Sequence, residues 1–243
     1  MLDFNILMMA SKNSLKIYNE DAYYHIYNRG VEKRPIFLDE QDYAVFLSYL
    51  KQYLIPKDEE ELTQKLTDPQ TSCREKDKAL KLLRLNNFSD EIILLAYCLM
   101  PNHFHLLIKQ KSSNSIDKFM NSLGLRYAIY FNKKYKRVGK LFQDVYKAVT
   151  IETEPQLLYL TSYIHCNPRG LKLTKSASQD VVWRAYLSQP SSYPEYLGQR
   201  KTEWIHPEEI LEYFSKTNPK FSYQAFTEQT DNFEDIENLV IDP

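Results

Sequence analysis

A mixed α+β fold follows from three observations. Two apolar runs flank a Pro-Asn turn between residues 92 and 108, an aromatic run spans residues 22–29, and apolar residues recur at helical spacing over 43–54 and 116–131. The first pattern predicts a β-hairpin, the second a strand, and the third two amphipathic helices. An acidic stretch after residue 184 adds a helical or irregular extension.

The elements follow in order. Residues 22–29 mix aromatic and β-branched types and end at Gly30, as a strand does. Asp39 is placed to cap a helix whose apolar stripe is Tyr43, Phe46, Leu47, Leu50 and Leu54, and Pro56 ends it. Residues 57–90 are highly charged and read as an exposed helical insertion. The hairpin 91–110 follows. Asn114 with Asp117 resembles a helix-start box, ahead of Ile116, Phe119, Met120, Leu123, Tyr127, Tyr130 and Phe131. Residues 140–151 read as a further strand. Thr153 caps the next helix, with Gln156 at the box position and Pro155 in the first turn. Leu157, Leu160, Thr161 and Ile164 form its stripe, and Pro168 with Gly170 closes it. A short helix is expected over residues 207–214.

Composition narrows the class. No run of 18 apolar residues exists, so no membrane-spanning helix is expected. Residues 1–10 are briefly apolar but carry Asp3 and no basic leader, unlike a signal peptide. Cys73, Cys98 and Cys166 are odd in number and unpaired in spacing, which fits reduced thiols and a cytoplasmic location. The net charge of −1 conceals an asymmetry: residues 101–184 hold 14 basic against 5 acidic side chains, whereas 185–243 hold 4 against 11. A polyanionic partner for the basic third is one implication, and an ordinary solvated face is the other.

The chemistry concentrates in two places. His103 and His105 alternate with Phe104 at the start of the second hairpin strand, so both imidazoles emerge on one face. A preoriented pair of this kind can begin a metal site, and it equally fits two solvated strand histidines. Tyr163 and Asn167 stand four apart on the late helix, one above the other. His165 falls on the opposite side and is not counted as a ligand. A phenol can attack as a nucleophile. Two imidazoles with an amide oxygen can hold Mg²⁺ or Mn²⁺ and leave positions for phosphate oxygens. Tyr163 also fits a structural aromatic in a chain with 19 tyrosines. A third feature is the basic, aromatic-bearing stretch Lys133, Lys134, Tyr135, Lys136 and Arg137, with Lys140 just beyond. It suits single-stranded nucleic acid, and also an ordinary lysine-rich helix end.

These residues carry a resemblance. Tyr24-His25-Ile26-Tyr27-Asn28-Arg29-Gly30, Pro101-Asn102-His103-Phe104-His105-Leu106-Leu107, Gly139-Lys140-Leu141-Phe142-Gln143 and Tyr163-Ile164-His165-Cys166-Asn167-Pro168 stand in the order seen in single-tyrosine HUH transposases. The REP-associated tyrosine transposase branch is the most similar, over roughly residues 20–170. The resemblance implies a ferredoxin-like central antiparallel sheet with helices on it. It also implies a metal site of His103, His105 and Asn167, with Tyr163 as the nucleophile. Residues 1–170 would be the catalytic domain, with 57–90 an insertion and 171–243 an acidic extension. The implied function is a metal-dependent single-stranded DNA endonuclease and strand transferase, forming a 5′-phosphotyrosine intermediate in transposition. Single-stranded or hairpin DNA would be the partner, for a monomer or a homodimer with no membrane. Lys109 lies on the histidine face and is a weak candidate base. The rivals are a non-cleaving regulator that binds hairpin DNA or RNA, and a hydrolytic metallophosphoesterase. The second would normally need more Asp and His ligands.

Overall fold

The computed structural model describes residues 18–167 and 190–229. Four strands form one sheet: β1 Tyr23–Arg29, β2 Ile92–Met100, β3 His103–Gln110 and β4 Lys147–Ile151. Their order is β2-β3-β1-β4, and every neighbouring pair is antiparallel. With α1 Glu40–Leu54 between β1 and β2, and α4 Ser115–Lys134 between β3 and β4, this is the ferredoxin-like arrangement. Among the described residues no helix is long and apolar enough to cross a membrane.

Alternation sorts the sheet into two faces. Tyr24, Ile26, Phe104, Leu106 and Ile108 enter the larger core, where Phe46 and Leu50 of α1 meet Phe119, Leu123 and Tyr127 of α4. Each such fully buried apolar side chain contributes about 2 kcal/mol. The opposite face carries Leu107 and Ile151 into a second core. That core is completed by α5, Glu154–Cys166, through Leu157, Leu160 and Ile164. A bulge at Leu95 lets β2 present Leu95, Ala96, Cys98 and Met100 to this second core.

The caps at Asp39 and Thr153 form as expected: each side chain accepts from the backbone N–H three residues on. Residues 57–90 fold as α2 Glu59–Thr67 and α3 Cys73–Arg84, whose one buried residue is Ala79. Three expectations are corrected. Asn114 makes no side-chain cap and sits in the left-handed region at φ 72°. Gln110 Oε1 accepts from Ile116 N instead, and the Asp117 carboxylate accepts from the Tyr146 hydroxyl. The strand expected over 140–151 begins only at Lys147. β1 has already turned into a 3₁₀ helix, Val31–Lys33, so residues 140–146 find no ladder beyond a bridge from Phe142 to Gly30. The late helix is only four residues long, Glu208–Leu211 (α7).

The described C-terminal residues also form α6 Tyr193–Tyr196, a 3₁₀ turn Pro219–Phe221 and α8 Tyr223–Gln229. They pack on α5 and β2 through Tyr193, Tyr196, Ile210 and Tyr223. Leu99 N donates to Pro190 O at 2.9 Å, Ser192 N to Tyr97 O at 3.0 Å and His206 N to Leu94 O at 3.0 Å. The closure of α5 expected at Pro168 and Gly170 lies outside the described residues.

Candidate metal and tyrosine site

The hairpin turn places the histidines. Gly30 N donates to Asn102 O at 2.8 Å, which holds β1's end to the turn, and a Cβ on Gly30 would lie 2.2 Å from Arg34 O, so only glycine lets the following segment fold back this closely. Asn102 Nδ2 donates to Lys33 O at 3.2 Å, which fixes the amide. Its Oδ1 then lies 2.6 Å from His103 Nδ1, an acceptor facing that nitrogen. A neutral His103 therefore carries its proton on Nδ1 and turns the Nε2 lone pair outward.

That lone pair faces α5. His103 Nε2 is 3.2 Å from Asn167 Oδ1, and His105 Nε2 is 3.4 Å from Asn167 Nδ2. Tyr163, one turn earlier, sets its ring edge-on to His105, with centroids 5.6 Å apart at 88°. The late helix and the mid-chain strand thus converge within one chain. His105 is fully buried, and burial, reinforced by the charges of His25, His103 and Arg29, holds its imidazolium form well below the usual pKa. His105 is neutral at physiological pH, as a metal ligand must be.

The donor set fits a divalent ion. An imidazole lone pair and an amide oxygen facing each other at 3.2 Å are two acceptors that a shared cation would satisfy. The spacing is close to the edge of about 3 Å expected between neighbouring ligands of Mg²⁺. Among the described residues no group of three His, Cys, Asp or Glu could hold a metal. An ion held by the donors described above would rest on His103, His105 and Asn167, with its other positions open.

Sequence reasoning missed His25. It is fully buried on β1, its Nε2 lies 2.9 Å from His105 Nδ1, and the two rings stack at 17°. An acceptor at that nitrogen directs the His105 lone pair, on Nε2, toward Asn167. The available signal was alternation along β1, which puts His25 on the face of Tyr23 and Tyr27.

Other candidates lie elsewhere. His165 is fully buried away from the histidine pair, bonded to Tyr223 Oη at 2.6 Å and Ser192 Oγ at 2.8 Å. Lys109 is not a base for Tyr163: it pairs with Glu209 at 3.1 Å over the Tyr23 ring. In the basic stretch, Lys134 binds Asp39 and Asp42, and the Tyr135 hydroxyl donates to Asp42 at 2.8 Å. These two side chains tie α4 to α1 and do not reach into solvent for a partner. Lys133, Lys136 and Lys140 are exposed, and Arg137 is half-buried against Asn132 and Phe131.

Residues 71–167 match the family model described as "Transposase IS200 like", and this match runs from α3 through both histidines to Tyr163 and Asn167. No curated protein matches the chain. Among solved structures, a REP-associated tyrosine transposase bound to a REP hairpin is 9% identical with a TM-score of 0.49, over 80% of this chain and 96% of that one. A candidate transposase from Deinococcus radiodurans R1 is 18% identical with a TM-score of 0.27, over 63% of this chain and 95% of that one. The fold rests on the strand order above.

Proposed function

We propose that the protein is a metal-dependent single-stranded DNA endonuclease and strand transferase that works through Tyr163. The observation that supports this reading is the placement of the Tyr163 ring against His105, within one chain, beside the His103–Asn167 pair. His103, His105 and Asn167 would hold Mg²⁺ or Mn²⁺, which supplies polarisation of the phosphodiester and compensation of charge on its oxygens. The Tyr163 hydroxyl gives its proton to water as its oxygen attacks phosphorus, the bond from phosphorus to the 3′ oxygen breaks, and that oxygen takes a proton from water and leaves as a 3′-hydroxyl. The 5′ end remains linked as phosphotyrosine. Rejoining is the reverse attack by a 3′-hydroxyl, so the energy of the broken bond is conserved. Residues 1–170 would form the catalytic unit, with 171–243 an extension upon it, and Lys133, Lys136, Arg137 and Lys140 would meet DNA.

The test is incubation with 5′- and 3′-labelled hairpin oligonucleotides and Mn²⁺, resolved on a denaturing gel. The 3′-labelled fragment is expected to become protein-linked through its 5′ phosphate, and the 5′-labelled fragment to be released with a free 3′-hydroxyl. Binding that releases every strand intact would favour the non-cleaving regulator.

A further inference from the structure

The antiparallel register carries the histidine row across the sheet. His105 stands opposite Tyr27 on β1, and Tyr27 stands opposite Lys147 on β4. One pair further along, His103 stands opposite Arg29. Register partners share a face, so Tyr27, Arg29 and Lys147 lie on the face of the candidate metal site. α5 covers the other end of that face, over Leu107 and Ile151. At the uncovered end, Tyr27 and Arg29 are half-buried and Lys147 is exposed. With Gln143 and Asp144 they line an open cleft of ≈ 320 Å³. Tyr27 lies with its ring 6.1 Å from that of His105, so the cleft adjoins the site directly. The acid in the lining, Asp144, turns Oδ1 onto its own neighbour, Val145 N, at 2.9 Å.

A guanidinium, an ammonium and an accessible ring around an open cleft match a polyanion that carries flat bases. A guanidinium fork suits phosphate oxygens, and base stacking on a ring tolerates any sequence. We propose that this cleft holds the single strand immediately beside the cleavage point, Arg29 and Lys147 taking backbone phosphates and Tyr27 stacking on a base. The inference rests on the nuclease reading and adds to it the path of the strand.

The test measures binding of a fluorescein-labelled oligothymidylate by anisotropy across a salt series, without added metal, in Tyr163→Phe protein. Adding Arg29→Gln and Lys147→Gln together should weaken binding at least about tenfold and reduce the log–log salt slope by about 0.7 for each phosphate the variant no longer neutralises. Lys147 is exposed, so Lys147→Gln alone leaves folding intact and should remove one such step. Tyr27→Leu should weaken binding about fivefold or more, and less so when an abasic strand replaces oligothymidylate. Lys78→Gln, on the exposed face of α3, removes the same charge and should change nothing. An unchanged affinity and slope in Lys147→Gln and in the folded double variant overturns the proposal. If the protein with Tyr163 intact still forms covalent adducts in that case, the cleft fails and the nuclease reading survives. If binding weakens as expected but no adduct ever forms, the nuclease reading fails and the cleft survives.

Discussion

Nε2 of His25 lies 2.9 Å from Nδ1 of His105, and neither ring is exposed to solvent. For His105 to offer Nε2 to a cation, Nδ1 must hold the proton and donate it to His25. A buried nitrogen acceptor here takes the place more often filled by a carboxylate or backbone carbonyl. His25→Phe keeps a ring but removes the acceptor. Calorimetric Mn²⁺ affinity should fall by about 10-fold or more, with partial recovery in His25→Gln, whose amide oxygen can accept. Affinity untouched in the phenylalanine variant would show that the contact only packs.

His103, whose Nδ1 is committed to Asn102, has no second way to reach a cation. His103→Ala should lose strand cleavage, and raising Mn²⁺ should restore little of it. Chelation with EDTA should stop the wild-type reaction. Full cleavage in EDTA would remove the metal from the mechanism.

Tyr163→Phe deletes one oxygen from a ring that keeps its place against His105. Covalent DNA adducts should vanish while hairpin affinity stays within about twofold, since a single hydroxyl off the basic surface adds little to phosphate binding. Adducts that persist would assign the nucleophile to another residue.

Asp42 gives a pH signature. It is fully buried and accepts from Lys134 Nζ at 2.8 Å, Leu38 N at 2.8 Å, Tyr135 Oη at 2.8 Å and Tyr130 Oη at 2.9 Å. Burial pushes its carboxyl pKa up, but the Lys134 ammonium and these donors outweigh that and hold it below the usual value. A folded-state pKa below the unfolded one means that the contribution is complete above the unfolded value of about 4 and is lost as pH falls through the folded one. Asp42→Asn should therefore lower stability by about 2 kcal/mol at neutral pH, because charge-assisted hydrogen bonds are lost while Lys134 keeps Asp39. It should also flatten the decline of stability below about pH 4. Urea unfolding across a pH series checks both, and an unaltered acid limb would refute the assignment.

What was legible in the sequence was local. The Pro101-Asn102 turn, the alternation of His103 and His105, and the caps at Asp39 and Thr153 each depend on residues within four positions, and each formed. Tyr163 and Asn167 could be placed on one helical flank for the same reason. His25 could not be joined to His105, because that contact depends on how two strands eighty residues apart align. The basic stretch misled in part for a related reason: the acids that engage Lys134 and Tyr135 lie on or beside α1, more than ninety positions away. Residues 140–146 look like a strand, yet they fail to form one because the strand beside them has already turned.

The contacts from Pro190, Ser192 and His206 to Leu99, Tyr97 and Leu94 occupy the outer rim of β2. An uncovered rim is an invitation for a foreign strand to add itself, whether from a sister molecule or from an aggregate. By laying its own later segment there, the chain withdraws those backbone groups from such traffic. Sheet growth at Leu94, Tyr97 or Leu99 would first require this lashing to be peeled away.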